Sequence, residues 1–155
     1  MFNVIIIGTG KIGIDLYIKL KKRRIFNKIF IFNTNKNSDG AKFCKKNNFL
    51  YSDQGIRGVI NKLPNIKIIF DCTSAQSNQI ITNKLKKKIN KIFYINLTPS
   101  KFGNYVVPYF NQNLLPKKIN LITCGGQTSI PIISSFKRIL MKKLSYVELV
   151  SSISA

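Results

Sequence analysis

Val4-Ile5-Ile6-Ile7-Gly8-Thr9-Gly10-Lys11-Ile12-Gly13 is the stretch on which the fold turns. A short run of β-branched residues stops at Gly8, and Ile12, Leu16 and Leu20 follow at helical i, i+4, i+8 spacing. This reads as strand, tight turn, helix. The turn carries G-x-G-x-x-G in the one context that makes the pattern informative, after a strand and opening a helix. Gly8 makes the turn, Gly10 lets backbone approach a pyrophosphate at the helix N-terminus, and Gly13 lets the helix pack closely on the sheet. Thr9, Lys11 and Ile12 complete the candidate dinucleotide-binding turn.

The same alternation continues outward. Residues 29–32 read as a strand, 39–46 as a helix, 49–51 as a short strand and 54–63 as a helix. Residues 66–70 and 92–97 read as buried strands around a helix over 76–88, and 119–123 as a further strand. A last helix is expected over 130–142, with Pro131 in its first turn, where a missing N–H costs least. Strands alternating with helices predict an α/β fold: a doubly wound, mostly parallel Rossmann-type sheet with helices on both faces. Residues 98–115, holding Pro99, Gly103 and Pro108, form the one long irregular stretch, of a length that in compact domains is usually functional. Residues 1–144 are assigned to the dinucleotide-binding domain. Residues 145–155, apolar and without a cap or polar tail, read as if mid-architecture.

Composition narrows the function classes. The 155 residues suit about one domain, long enough to bury a core without disulfides or structural metal. No histidine is present and the three cysteines lack paired ligand spacing, which excludes a histidine-based triad and gives no metal site. No window approaches the ~20 apolar residues of a membrane span, and the reading is a cytoplasmic protein with reduced thiols. The formal charge of +21 invites nucleic acid. Ile, Lys and Asn, however, supply 26, 22 and 17 residues, the signature of AT-rich codons, and the basic residues spread along the whole chain. Solvated helix faces account for that spread better than a nucleic-acid surface does.

Three further places carry chemistry. The acidic residue that normally binds the adenosine ribose about 20 residues after the glycines is missing. Phe32-Asn33-Thr34-Asn35-Lys36 stands there instead, so Asn33 or Asn35 becomes the ribose candidate, with NAD favoured and NADP open. Asp71-Cys72-Thr73-Ser74-Ala75 falls at the carboxyl end of a strand, the edge where doubly wound sheets bind ligands. Thr73 and Ser74 are candidate cofactor contacts, and Asp71 either caps the turn or touches ligand. Thr123-Cys124-Gly125-Gly126-Gln127 lies between a strand and a helix, where a thiol can become a nucleophile. Cys124 is the candidate, with the Gly125 and Gly126 amides as donors to an oxyanion; Cys44 and Cys72 read as packing residues.

Three stretches taken together are more specific than any one motif: residues 7–16; Asn96-Leu97-Thr98-Pro99 with Gly103-Asn104-Tyr105-Val106-Val107-Pro108; and Thr123-Cys124-Gly125-Gly126-Gln127 with Ile130-Pro131. On them, and on residues 38–40, 70–75 and 149–154, the chain resembles acylating acetaldehyde dehydrogenase from end to end. The resemblance implies conversion of acetaldehyde, coenzyme A and NAD⁺ to acetyl-coenzyme A and NADH in aromatic hydrocarbon catabolism, beside a 4-hydroxy-2-oxovalerate aldolase. Cys124 matches the family's acyl-thioester cysteine, and Thr9, Gly10, Lys11 and Ile12 match its nucleotide turn, where Ser-Gly-Asn-Ile is more usual. Family members continue into a second, catalytic and dimerisation domain, so the resemblance implies that residues 145–155 start the crossover into a domain absent from this chain, with a separately encoded second half, or a homo-oligomer, as an implied partner.

The alternatives are a non-catalytic NAD-binding remnant and, more weakly, a basic nucleic-acid-binding protein. Semialdehyde and phosphorylating aldehyde dehydrogenases are a neighbouring reading that differs in the acyl acceptor.

Overall fold

The computed structural model describes residues 1–98, 100–107, 116–140 and 144–150. Strand β1 (Phe2–Ile7) leads into helix α1 (Lys11–Arg23), then β2 (Phe26–Phe32), α2 (Asp39–Lys46), β3 (Leu50–Ser52) and α3 (Gly55–Lys62). A 3₁₀ turn at Leu63–Asn65 is followed by β4 (Ile66–Asp71), α4 (Ala75–Leu85), β5 (Phe93–Asn96), β6 (Asn104–Val106), β7 (Lys118–Leu121) and α5 (Cys124–Ile139). The strands form one seven-stranded sheet in the order β3-β2-β1-β4-β5-β7-β6, and every neighbouring pair is parallel. The expected α/β, doubly wound, Rossmann-type sheet is thus the observed one, parallel throughout. Strand order reverses between β1 and β4, opening a crevice at their carboxyl ends, the switch point where such sheets bind ligands.

Alternation along β1 divides the core. Ile5 and Ile7 face one side with Phe32, Val59, Ile69, Leu85 and Tyr94, under α3 and α4. Ile6 faces the other with Tyr17, Ile29, Ile31 and Cys44, under α1 and α2. Both faces are covered, as a near-continuous apolar strand such as residues 4–7 requires. No described helix is long and apolar enough to cross a membrane.

Two expectations are corrected. Residues 104–106, within the stretch read as irregular, form β6 and pair with Ile119, Asn120 and Leu121 of β7. Three residues bounded by Gly103 and Pro108 are too few to display strand periodicity. The last helix begins at Cys124, not at residue 130, and Pro131 lies inside it. Thr123 is its N-cap, the hydroxyl oxygen accepting from the Gly126 amide at 3.2 Å. The sequence reading let the proline mark the start and the two glycines mark a loop; a capped first turn tolerates those glycines. Pro99, the rest of the stretch over 108–115, and the expected features at 141–143 and 151–155 lie outside the described residues.

Candidate functional site

At the switch point the β1 turn is built from backbone. Gly8 has φ +106° and its amide donates to the Phe32 carbonyl at 2.8 Å, tying the turn to β2. A side chain at Gly13 would put Cβ 2.1 Å from the Gly8 carbonyl oxygen, so α1 reaches this close to the turn only as glycine. Gly10 is the N-cap of α1 in extended geometry and offers no side-chain cap, whereas Ser38, Ser74 and Thr123 cap α2, α4 and α5. The first amides of α1 are therefore left for a ligand, at the positive end of the helix dipole. Around Gly10 the space where a Cβ would stand is open.

That space is part of a cavity of about 660 Å³. Gly8, Thr9 and Gly10 form its roof, Asn33, Thr34, Asn35 and Ser38 line it from the β2 side, and Cys72, Thr73 and Ser74 line it from the end of β4. Its floor is apolar, with Ile7, Phe32, Ile56, Ile80 and Ile81 between α3 and α4, a slot suited to a flat heteroaromatic ring. The structure thus brings together Gly8, Thr9, Gly10, Asn35, Thr73 and Ser74 in one cavity. Lys11 and Ile12 are exposed on the first turn of α1 and Gly13 is buried beneath it; none of the three lines the cavity.

Asn33 does more than stand in for an acid. Its Nδ2 donates to Thr9 Oγ1 at 2.6 Å, to Ser38 Oγ at 3.1 Å and to the Asn35 carbonyl at 3.2 Å, while its Oδ1 accepts from the Thr34 amide at 2.9 Å. The carboxamide is thereby committed to joining the two turns, which leaves Asn35 the freer ribose candidate. Thr73 is likewise engaged, its amide and hydroxyl both donating to Asp71 Oδ1 at 2.9 and 2.6 Å. Ser74 Oγ accepts from the Ser77 amide as the α4 cap.

Asp71 takes the capping role. It is fully buried and accepts, besides Thr73, the Asn78 amide nitrogen at 2.7 Å and the Tyr94 hydroxyl at 2.5 Å, both at Oδ2. Burial and the adjoining carboxylate push the Tyr94 phenol well above its ordinary pKa, holding it protonated as a donor. From Asn78 the polar chain continues: Ser100 Oγ donates to Asn78 Oδ1 at 2.9 Å, and Asn96 Nδ2 donates to Ser100 Oγ and to Asn120 Oδ1. Asn78, Asn96 and Asn120 are almost wholly buried. This asparagine network, running beneath the carboxyl edge from β4 to β7, escaped the sequence reading; only the placement of Asn96 and Asn120 at strand ends could have signalled it.

Cys124 lies at the same edge of the sheet, after β7, as the first residue of α5. It is exposed, whereas Cys44 is buried and Cys72 half-buried. The structure does not bring Cys124, Gly125 or Gly126 into the cavity under the glycine turn. Gly126 N–H is taken by the Thr123 cap, so of the two expected oxyanion donors only Gly125 N–H has no acceptor among the described residues. Gln127 Nε2 donates to the Val106 carbonyl at 3.0 Å, fastening this first turn to β6.

Burial raises the Cys44 thiol from 9.0 to about 11 and, with the Asp71 charge second, the Cys72 thiol from 9.0 to about 12. Neither is a thiolate near neutral pH. Brief treatment with iodoacetamide at about pH 8 is expected to alkylate Cys124 first, with Cys44 and Cys72 modified only on unfolding, as peptide mass mapping would read. Equal labelling of all three would contradict the packing described.

Comparison with known proteins adds relatives. The chain is 36% identical over 152 residues to a protein of Bacillus thuringiensis (strain Al Hakam), which covers 97% of this chain and 50% of that one, and the relative is named acetaldehyde dehydrogenase. Proteins of the same name from Burkholderia pseudomallei (strain 668) and Geobacillus stearothermophilus are 34% and 35% identical over 155 residues, 99% of this chain and 51% of theirs. All three relatives are named acetaldehyde dehydrogenase. The resemblance read from the motif stretches is borne out, and the chain spans about half the length of the acetaldehyde dehydrogenases it matches. No protein-family model matches the chain. Among solved structures, aspartate semialdehyde dehydrogenase from Francisella tularensis superposes with a TM-score of 0.59 over 90% of this chain and 42% of its own, at 16% identity. A putative prephenate dehydrogenase from Corynebacterium glutamicum gives 0.52 over 63% and 29%, also at 16% identity. Both share the fold.

Proposed function

We propose that this chain is the nicotinamide-dinucleotide-binding and nucleophile-bearing part of an acylating acetaldehyde dehydrogenase, with residues 1–144 as its dinucleotide-binding domain. The observation that carries the reading is the pairing, on one sheet edge, of an uncapped glycine turn over an open cavity with an exposed cysteine at a helix N-terminus. Gly8, Thr9 and Gly10 would hold the pyrophosphate through backbone amides, and the isoleucine-lined slot would take the adenine ring. The bound nicotinamide supplies a hydride acceptor. Cys124 is the nucleophile: exposed on the first turn of α5, its sulfur bonds as thiolate to the aldehyde carbon while Gly125 N–H donates to the developing oxyanion. Loss of hydride from that carbon leaves a thioester on Cys124. The coenzyme A thiol then gives its proton to solvent and its sulfur bonds to the acyl carbon as the Cys124 sulfur leaves as thiolate.

On this reading the partners are the aldehyde, coenzyme A, an aldolase that delivers the aldehyde, and a second half or second copy that completes the site and excludes water from it. The reading is tested by the thioester half-reaction. After incubation with acetyl-coenzyme A, intact-mass and peptide analysis is expected to find one acetyl group on Cys124 and none in Cys124→Ser, and NADH should form from acetaldehyde only when Cys124 is present. Dinucleotide binding without any acetyl adduct would instead favour a module that keeps the cofactor and has lost the chemistry.

A further inference from the structure

The cavity's charge determines which dinucleotide it takes, an inference that rests on the dinucleotide reading above and extends it to the adenosine ribose. In G-x-G-x-x-G domains a carboxylate just after β2 accepts from the ribose 2′-hydroxyl and repels a 2′-phosphate. Here that position is Asn33, whose carboxamide is already bonded to Thr9, Thr34, Asn35 and Ser38. The chain has five acidic residues, Asp15, Asp39, Asp53, Asp71 and Glu148, and none of them lines the cavity. Asp39, adjoining the lining residues Ser38 and Gly40, turns its carboxylate fully to solvent, 3.7 Å from Lys42. Asp71 is buried with its oxygens bonded to Thr73, Asn78 and Tyr94. Lys84, by contrast, does line the cavity.

Donors stand where a carboxylate is missing. Asn35 Oδ1 accepts from the Asn37 amide at 3.0 Å, which fixes the side chain, while Asn35 Nδ2 and Thr34 Oγ1 donate to nothing among the described residues. Both residues line the cavity and both are exposed. We propose that the turn over residues 33–38 is a 2′-phosphate-tolerant ribose site, and that this chain binds the 2′-phosphorylated dinucleotide, NADP, at least as tightly as NAD. Asn35 and Thr34 are the specificity-determining residues.

The test is titration calorimetry of the purified chain with NAD⁺ and with NADP⁺, repeated on Asn35→Asp, with melting temperature checked on both. The aspartate keeps the acceptor that Asn37 uses, so the turn stays formed. The expected result is an NADP⁺ Kd no higher than that for NAD⁺, raised by about tenfold or more in Asn35→Asp through charge repulsion, with the NADP⁺-to-NAD⁺ Kd ratio rising by at least as much because the new carboxylate accepts from the NAD ribose 2′-hydroxyl. If the unchanged chain binds NAD⁺ more than about threefold tighter than NADP⁺, or if Asn35→Asp leaves NADP⁺ untouched at an unaltered melting temperature, this inference is overturned while the dinucleotide reading stands. Binding of neither nucleotide overturns both. Should Asn35→Asp melt early, Thr34→Glu at the adjoining exposed position carries the same comparison.

Discussion

Asp71→Ala is expected to remove about 3–5 kcal/mol of folding stability, a large part of the ~5–15 kcal/mol typical of a domain. The carboxylate is the hub for four donors: the Thr73 amide and hydroxyl, Asn78 Nδ2 and Tyr94 Oη. Tyr94 and Asn78 are themselves buried, so each loses its partner where water does not replace it. An orphaned buried donor costs ~1–3 kcal/mol, and donors to a charged group stand at the upper end. Relief of the desolvated charge offsets part of the loss. Two milder changes make the account testable by urea denaturation. Asp71→Asn keeps shape but turns an NH₂ toward donors and should cost about 2 kcal/mol, while Tyr94→Phe removes one donor from an acceptor that retains three and should cost about 1 kcal/mol. If Asp71→Ala costs less than Tyr94→Phe, the hub assignment fails.

The second large effect separates two glycines that look alike in sequence. A Cβ at Gly40 would lie 1.7 Å from the Thr9 carbonyl oxygen and 2.8 Å from its carbon, so backbone must move. Gly40→Ala is expected to destabilise by about 2–4 kcal/mol, in the range of severe overpacking, and to weaken dinucleotide binding as the Thr9 turn shifts. At Gly10, φ is −70° and nothing stands within 4 Å of the added methyl. Gly10→Ala should change stability by less than about 1 kcal/mol yet weaken dinucleotide binding by about tenfold or more, because the methyl enters the space reserved for phosphate. Melting curves and calorimetric titrations of both variants check this. Loss of binding in Gly40→Ala alone, with Gly10→Ala unaffected, would move the pyrophosphate away from the α1 N-terminus.

Legibility followed range along the chain. The β1 turn, α1 and the strand alternation are encoded over ten to twenty residues, and there periodicity and glycine spacing sufficed. The helix at Asp39–Lys46 begins and ends where the alternation of strands and helices puts it. The start of α5 was not legible because two signals compete within eight residues, the Thr123 cap and Pro131, and only tertiary packing decides between them. Strand β6 owes its existence to β7, fourteen residues downstream, rather than to its own three residues. The site divides the same way. The glycines announced themselves, but the engagement of Asn33 with Thr9 and Ser38 crosses from one turn to another, and the Asp71 to Asn120 network links residues from β4 to β7. In a chain with 17 asparagines, a buried one carries no mark that distinguishes it from those on the surface.

The sheet ends on both sides in strands of three residues, β3 at one edge and β6 at the other. Unpaired backbone at a sheet edge is a template for adding foreign strands, and its danger grows with length and flatness. A chain with 26 isoleucines carries abundant material for cross-β growth, yet among the described residues the longer strands are enclosed by neighbours and the sheet edges are the two three-residue strands. Leu50 and Tyr105 on these edge strands are exposed, and a denser exposed apolar group stands on a helix, where Ile132, Phe136 and Ile139 of α5 are more than half exposed. Association between copies of the folded chain is therefore expected to run through side chains rather than by strand addition, and thioflavin-positive fibrils grown from folded chain would contradict this.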